Sequence, residues 1–240
     1  EQLAAAVTPK TKMMWFSSPC NPSGSIYSKE ELTALSEILI KNNIYVVSDE
    51  IYEHINFTGN HTSIASIPGM FDLTITVNGV AKAFAMTGYR IGYIGATEVI
   101  AKACTKLQGQ VTSGANSVAQ RATITAIETD PKEFGYMTQA FHKRRDLVVG
   151  LLNEIPGFKI NVPEGAFYVF PDVSEFFGKT LNGTLINNAD DFSMYILEQA
   201  NVATVTGAAF GNPNCIRLSY ATSEEQLIEA LRRIKDVVAF

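Results

Sequence analysis

The sequence predicts an α/β fold: a layered domain with parallel strands, followed by a smaller α+β domain. Three observations carry this reading. Apolar runs at Met13 to Ser17 and Ile44 to Val47 flank an amphipathic stretch in which Leu32, Leu35, Ile38 and Leu39 recur at helical spacing, and a crossover helix between two strands implies that the strands are parallel. Helical periodicity then holds from about Glu98 to about Thr129, with a break over Thr112 to Asn116. Finally, Asp130-Pro131-Lys132-Glu133 combines an N-cap, a proline at the first helical position and a capping-box glutamate. A new helix should start there and run to about Glu154, placing the division between residues 1–129 and 130–240.

Within the first part, the opening strand ends at Ser18-Pro19-Cys20-Asn21-Pro22-Ser23-Gly24, a turn rich in helix and strand breakers. Ser28 and Glu31 form a capping box for the helix, which Asn42 and Asn43 stop. Leu73 to Val77 and Ile91 to Ala96 read as further strands. In the second part, strands are expected at Phe158 to Asn161, Ala166 to Phe170, Val202 to Val205 and Cys215 to Ser219. Helices are expected over Asp190 to Gln199 and Thr222 to Val238, the latter opened by a Thr222-x-x-Glu225 box.

With 46% hydrophobic and 18% charged residues in 240, the chain has material for a substantial core. A net charge of -5, spread along the chain, supplies no basic footprint for nucleic acid or an anionic membrane. Small-molecule chemistry is the better expectation. Cys20, Cys104 and Cys215 are odd in number and far apart, which argues against a disulfide framework or zinc site and favours a reducing, cytoplasmic setting. His54, His61 and His142 lack metal-ligand spacing, so no metal is expected. No stretch approaches the roughly 20 apolar residues that span a bilayer. The chain begins at Glu1 rather than methionine, as a truncated or processed form would.

Ligands of an open parallel sheet bind beyond the carboxyl ends of its strands. Asn21, Asp49, Tyr52 and Lys82 all follow apolar runs. Each taken singly has an ordinary reading: Lys82 as a solvated lysine, Asp49 as a turn residue, Tyr52 as a packed aromatic, Arg217 as an exposed charge at a strand end. Lys143, Arg144 and Arg145 read as a solvated helix face. As a set with Arg90, however, the residues are what pyridoxal 5'-phosphate needs. A lysine amine forms an imine with its aldehyde, and a carboxylate keeps the pyridine nitrogen protonated. Tyrosine and asparagine donate to the phenolate oxygen, and an arginine grips the phosphate.

These motifs resemble those of the fold type I aminotransferases, specifically the aspartate aminotransferase subgroup found in bacteria, over nearly the whole chain. Asn21-Pro22-Ser23-Gly24 resembles the family's Asn-Pro-[Ser/Thr]-Gly, which implies that Asn21 contacts the cofactor's phenolate oxygen and the substrate, and Ser48-Asp49-Glu50-Ile51-Tyr52-Glu53 resembles its strand-end motif. Lys82 with Arg90 eight positions on resembles the Schiff-base lysine and phosphate arginine. Pro163 to Tyr168 resembles a small-domain strand, and Arg217 matches the arginine that clamps the substrate α-carboxylate. The resemblance implies a three-layer large domain with a mostly parallel sheet, only part of it present, and a C-terminal small domain. It also implies a homodimer in amino-acid metabolism that exchanges an amino group between an amino acid, with aspartate favoured, and a 2-oxo acid. An aromatic aminotransferase, a pyridoxal-phosphate lyase of the same fold and a catalytically silent fragment remain as alternatives.

Two departures bear on activity. Gly79-Val80-Ala81 stands where many relatives carry hydroxyl residues before the lysine, one of them touching the phosphate. Only twelve residues precede the first expected strand, so the family's N-terminal phosphate cradle and ring-stacking aromatic are not among them. This 240-residue chain is therefore expected to bind the cofactor weakly or not at all and to be inactive alone. Visible imine absorbance together with transamination by this chain would disprove that.

Overall fold

The computed structural model describes residues 1–238. These fall into two compact units: Glu1–Cys20 with Ile26–Tyr136, and Asn21–Ser25 with the chain from Met137 onward.

The first unit contains α1 (Gln2–Ala6), β1 (Met13–Ser17), α2 (Lys29–Lys41), β2 (Tyr45–Asp49), β3 (Thr74–Gly79), β4 (Gly92–Gly95), α3 (Glu98–Thr112) and α4 (Ser117–Glu128). Its sheet has the order β1-β2-β3-β4, with β1, β2 and β3 parallel and β4 antiparallel to β3. The expected capping box of α2 forms: Glu31 N–H donates to Ser28 Oγ at 3.1 Å, and Ser28 N–H to Glu31 Oε2 at 2.8 Å. Leu32 and Leu39 on its inner face are fully buried and pack with Ile44, Val46, Ile64, Ile67 and Met70. Each such side chain removed from water contributes about 1.5–3 kcal/mol.

Alternation along the strands separates the two sheet faces. Met14, Phe16 and Val46 pack into the cluster beneath α2. The opposite parity presents Met13, Trp15, Tyr45 and Ile94 to solvent, Trp15 with 75% of its surface exposed. On α3, which buries no residue, Val99, Leu107 and Val111 are likewise exposed.

The second unit contains most of α5 (Gly135–Asn153), then β5 (Tyr168–Val169), β6 (Lys179–Leu181), β7 (Thr184–Ile186), α6 (Ala189–Ala200), β8 (Val205–Thr206), β9 (Ile216–Ser219) and α7 (Glu224–Val238). Strands β5-β9-β8 form an antiparallel sheet, and β6-β7 a separate hairpin. Phe176 stacks on Phe192 with ring centroids 4.5 Å apart, and Phe158 meets Phe176 at 5.5 Å. Leu227, Leu231, Ile234 and Val238 form the buried stripe of α7.

Several expectations are corrected. No strand forms over Phe158 to Asn161; only Lys159 bridges Asp172, because the Phe158 ring is an anchor of the aromatic cluster and Gly157 turns the chain at φ +98°. The helix expected from Asp130 begins as a 3-10 turn over Pro131–Phe134, with Asp130 Oδ1 accepting from Lys132 N–H at 3.0 Å. The strand expected over Val202 to Val205 is reduced to β8. Ser223, not Thr222, caps α7, accepting from Gln226 N–H at 3.3 Å. The β6-β7 hairpin was not foreseen, although Asn182-Gly183 at its turn, with φ of 45° and 84°, is a strong hairpin signal.

The Asn21-Pro22-Ser23-Gly24 segment is tied to Pro163-Glu164-Gly165. Gly24 O accepts from the N–H groups of Glu164 and Gly165, both at 2.9 Å. At φ +69°, a Cβ on Gly24 would come within 2.5 Å of Pro163 Cβ and 2.7 Å of Gly165 O. Gly24→Ala should therefore destabilise the chain by about 1–3 kcal/mol, read as a lower urea midpoint; an unchanged midpoint would show that this close approach is dispensable.

Candidate functional site

The parallel register of β2 and β3 sets the first half of the site. Asp49 is the last residue of β2 and pairs with Val77 of β3, and Lys82 lies three residues beyond Gly79, the end of β3. Both strands therefore run out at one edge of the sheet. Asp49 Oδ1 accepts from Ile51 N–H at 3.1 Å, a side-chain turn that bends the chain as it leaves the sheet. Glu53 N–H donates to Glu50 O at 2.9 Å and Ile55 N–H to Tyr52 O at 2.8 Å, which coils residues 50–55 tightly and buries Tyr52. The Lys82 ammonium nitrogen stands 6.0 Å from the centroid of the Tyr52 ring, the outer reach of a cation–π contact. Asp49, Tyr52 and Lys82 are thus gathered together. Arg90 is more exposed, at φ 55°, ψ 45°, with Nη1 donating to Thr87 O at 2.9 Å.

Sequence reasoning missed the group next to Asp49. Glu50 is 3% exposed. Its Oε1 accepts from Ser48 Oγ at 2.9 Å and Ser63 Oγ at 2.7 Å, and its Oε2 lies 2.8 Å from His61 Nε2. Burial opposes ionisation of this carboxyl, but hydrogen bonds from His61, Ser63 and Ser48, with the charge of His61, outweigh it and hold the pKa below the ordinary value. The signal was strand parity: Glu50, one residue past β2, continues the buried side of Val46 and Ser48, and a carboxylate there must find donors. Glu53 lies beside this group and accepts from Asn78 Nδ2 at 2.6 Å.

In the second unit, Arg217 on β9 donates from Nη1 to Asn21 Oδ1 at 2.8 Å. Its guanidinium carbon lies 4.4 Å from the Tyr168 ring centroid and 4.9 Å from that of Phe210. Two aromatic faces against a planar cation restrict its rotation and remove water from it. With the Asn21 oxygen committed to Arg217, the amide NH2 is the end of Asn21 that can donate elsewhere. Neither Tyr168 nor Phe210 was singled out in the sequence as a site residue.

The solvated helix face expected at residues 143–145 is corrected. Lys143 is exposed and pairs with Glu224 at 2.8 Å. Arg145, by contrast, has 12% of its side chain exposed and donates to Pro163 O at 2.6 Å, bracing the segment that also receives Gly24. Arg144 lies over the Phe141 ring at 5.8 Å with its Nε buried.

A cavity of about 1460 Å³ in the first unit is lined by Val77, Asn78, Arg90, Gln108 and Asn116 among others, but not by Asp49, Tyr52 or Lys82. Its walls continue the exposed apolar surface of β4 and α3, and of the sequence-predicted site residues of the first unit it holds Arg90 alone. Among the described residues, no helix is long and apolar enough to cross a membrane.

Comparison with known proteins bears on the family and the fold. The family model for aminotransferase class I and II matches residues 1–234. The chain is 46% identical, over 98% of its length, to the aspartate/prephenate aminotransferase of Cereibacter sphaeroides, and spans 60% of that protein. It is 44% identical, over 97% of its length, to a bifunctional aspartate and glutamate/aspartate-prephenate aminotransferase of Petunia hybrida, spanning 50% of it. The crystal structure of the aspartate aminotransferase from Rhizobium meliloti superposes with a TM-score of 0.94 at 43% identity, covering 98% of this chain and 60% of that one. An aromatic aminotransferase from Pyrococcus horikoshii gives 0.91 at 37% identity, covering 99% and 62%. The chain spans about half to three fifths of these relatives' lengths. On the match over residues 1–234 and the fold it shares with them, the chain belongs to the class I and II aminotransferases.

Proposed function

We propose that this chain carries the lysine-bearing part of a pyridoxal-phosphate-dependent aminotransferase that exchanges an amino group between aspartate and a 2-oxo acid. The observation that carries the reading is the gathering of Asp49, Tyr52 and Lys82 at the carboxyl edge of β2 and β3, with Lys82 Nζ 6.0 Å from the Tyr52 ring centroid. The donor set fits the cofactor: one amine, one carboxylate, one phenol and one guanidinium, each at a strand end or the loop after it. When bound, pyridoxal phosphate supplies an aldehyde and an electron-accepting ring.

In this reading the Lys82 amine would hold the cofactor through its aldehyde and would take up and return the substrate α-proton. The Asp49 carboxylate would keep the pyridine nitrogen protonated. The Tyr52 hydroxyl and the Asn21 amide would donate to the phenolate oxygen, and Arg90 would take the phosphate. Arg217, flattened between Tyr168 and Phe210, receives the substrate α-carboxylate through two parallel hydrogen bonds. The division of labour follows a cofactor-binding part over 1–129 and a small domain over 130–240.

Aspartate is favoured by the names of the relatives, several of which also name prephenate. The aromatic aminotransferase among the structural neighbours supports an aromatic substrate as the second reading. Free cysteines at positions 20, 104 and 215 suit a cytoplasmic setting. The exposed apolar residues of β1, α3 and α4 suit a surface covered by further protein, including a second subunit of a homodimer. They also fit a chain that is inactive by itself.

In a protein carrying this chain at the length of its relatives, borohydride reduction with pyridoxal phosphate should fix the cofactor on the peptide containing Lys82. Labelling elsewhere, or none, would overturn the assignment. Lys82→Ala should lower kcat at least about 10³-fold, and Arg217→Lys should raise KM for amino acid and oxo acid alike about 10–100-fold. Parallel assays with aspartate, prephenate, tyrosine and cystathionine identify the substrate; no turnover of aspartate would sink the first reading.

A further inference from the structure

Glu50 follows Asp49 and precedes Tyr52 in the chain, and is 3% exposed. Its main chain takes part in the ties around them. Glu50 N–H donates to Val77 O at 2.9 Å, fastening the end of β2 to the strand that leads to Lys82. Glu50 O accepts from Glu53 N–H, and the preceding residue, Asp49, accepts from Ile51 N–H through its carboxylate. The side chain then reaches across to the far end of the excursion that carries Tyr52. His61 lies 11 and Ser63 13 positions further on, and both bond the same carboxylate. Ser63 Oγ in turn accepts from Ala65 N–H at 3.3 Å, opening the 3-10 turn whose Ile64 is buried in the core beneath α2.

We propose that Glu50 is a positioning residue: its carboxylate, held by Ser48, His61 and Ser63, latches both ends of the 50–63 loop and so fixes how Asp49 and Tyr52 are presented. The inference rests on the reading that Asp49 and Tyr52 meet the cofactor, but the latch itself is a property of the chain without it. A buried carboxylate is a costly way to gain stability, since apolar replacement of buried charged groups is often neutral or better. What it supplies here is geometry. Three convergent donors admit one position of the carboxylate, and residue 50 cannot shift without moving residues 49 and 52. The group formed by Glu50, Glu53 and His61 would suit a cation by type alone, but Glu50 and Glu53 already accept from Ser48, Ser63 and Asn78, and the group serves as a hydrogen-bonded clasp.

Amide hydrogen exchange on the 240-residue chain tests this without cofactor. In Glu50→Ala, exchange of the Ile51, Glu53 and Ile55 amides should quicken about 10-fold or more while the amides of α2 stay within about twofold. Glu50→Gln, which keeps the carbonyl acceptor for both serines, should restore most of the protection. Acceleration of α2 and the turn by a common factor would reduce Glu50 to a structural role and overturn the proposal, as would no acceleration at the turn, or Glu50→Gln behaving as Glu50→Ala. Should Glu50→Ala not fold, His61→Ala and Ser63→Ala each remove one donor; both should quicken the same three amides about threefold or more, and unchanged exchange in both would overturn the latch. Because borohydride labelling at Lys82 reports on cofactor chemistry alone, failure of that reading and failure of the latch are separate results.

Discussion

Parallel pairing of β2 with β3 is the constraint on which the first unit depends. With Asp49 opposite Val77, the two strands end within a few residues of each other at the same edge. Side chains presented there can be polar without breaking the main-chain ladder, which is complete just behind them. A shift of one residue in β2 would turn Asp49 toward the core beneath α2 and Glu50 toward the open face. The core prevents that shift, because Val46 is fully buried in the cluster of Leu32 and Leu39 and would be driven to the exposed side.

The same alternation explains why two adjacent carboxylates have opposite environments. Asp49 is half-buried and uses one oxygen for a turn, whereas Glu50 is enclosed and uses both. Desolvation works against the Glu50 charge, and its three donors more than compensate. The contribution to stability is present once the pH is above the unfolded value for a glutamate, and it is lost as pH falls through the lower folded value. The open face of the sheet has the reverse character. Met13 and Trp15 lie on the Asp49 side and are exposed, whereas Ile75 of β3, on the same side, is buried.

In the second unit a guanidinium plays the organising part. Arg217 lies between Tyr168 of the adjoining strand and Phe210, and its bond to Asn21 brings in a segment 196 positions away. Gly24 allows this by letting the segment approach Pro163 and Gly165 more closely than any side chain would permit. Arg145 closes the assembly from beneath by bonding the Pro163 carbonyl. The Asn21 motif and the Arg217 motif therefore form one structural unit, although between them runs nearly the whole chain.

Local chemistry is what the sequence by itself determined. The capping box of α2, the break between α3 and α4, the strand positions of the first unit and the residue types at their ends rest on neighbours within a few positions, and the structure agrees with them. The positions of Asp49, Tyr52 and Lys82 at or just after strand ends were legible for the same reason, since each comes at the end of an apolar run or after it. Tertiary structure alone decided the partners of Glu50, the aromatic walls of Arg217, the burial of Arg145 and the loss of the strand at Phe158. Each of these depends on what a side chain meets across the fold. A buried carboxylate or guanidinium is tolerable only when distant donors, acceptors or rings arrive to replace its water, and no local pattern records where those come from.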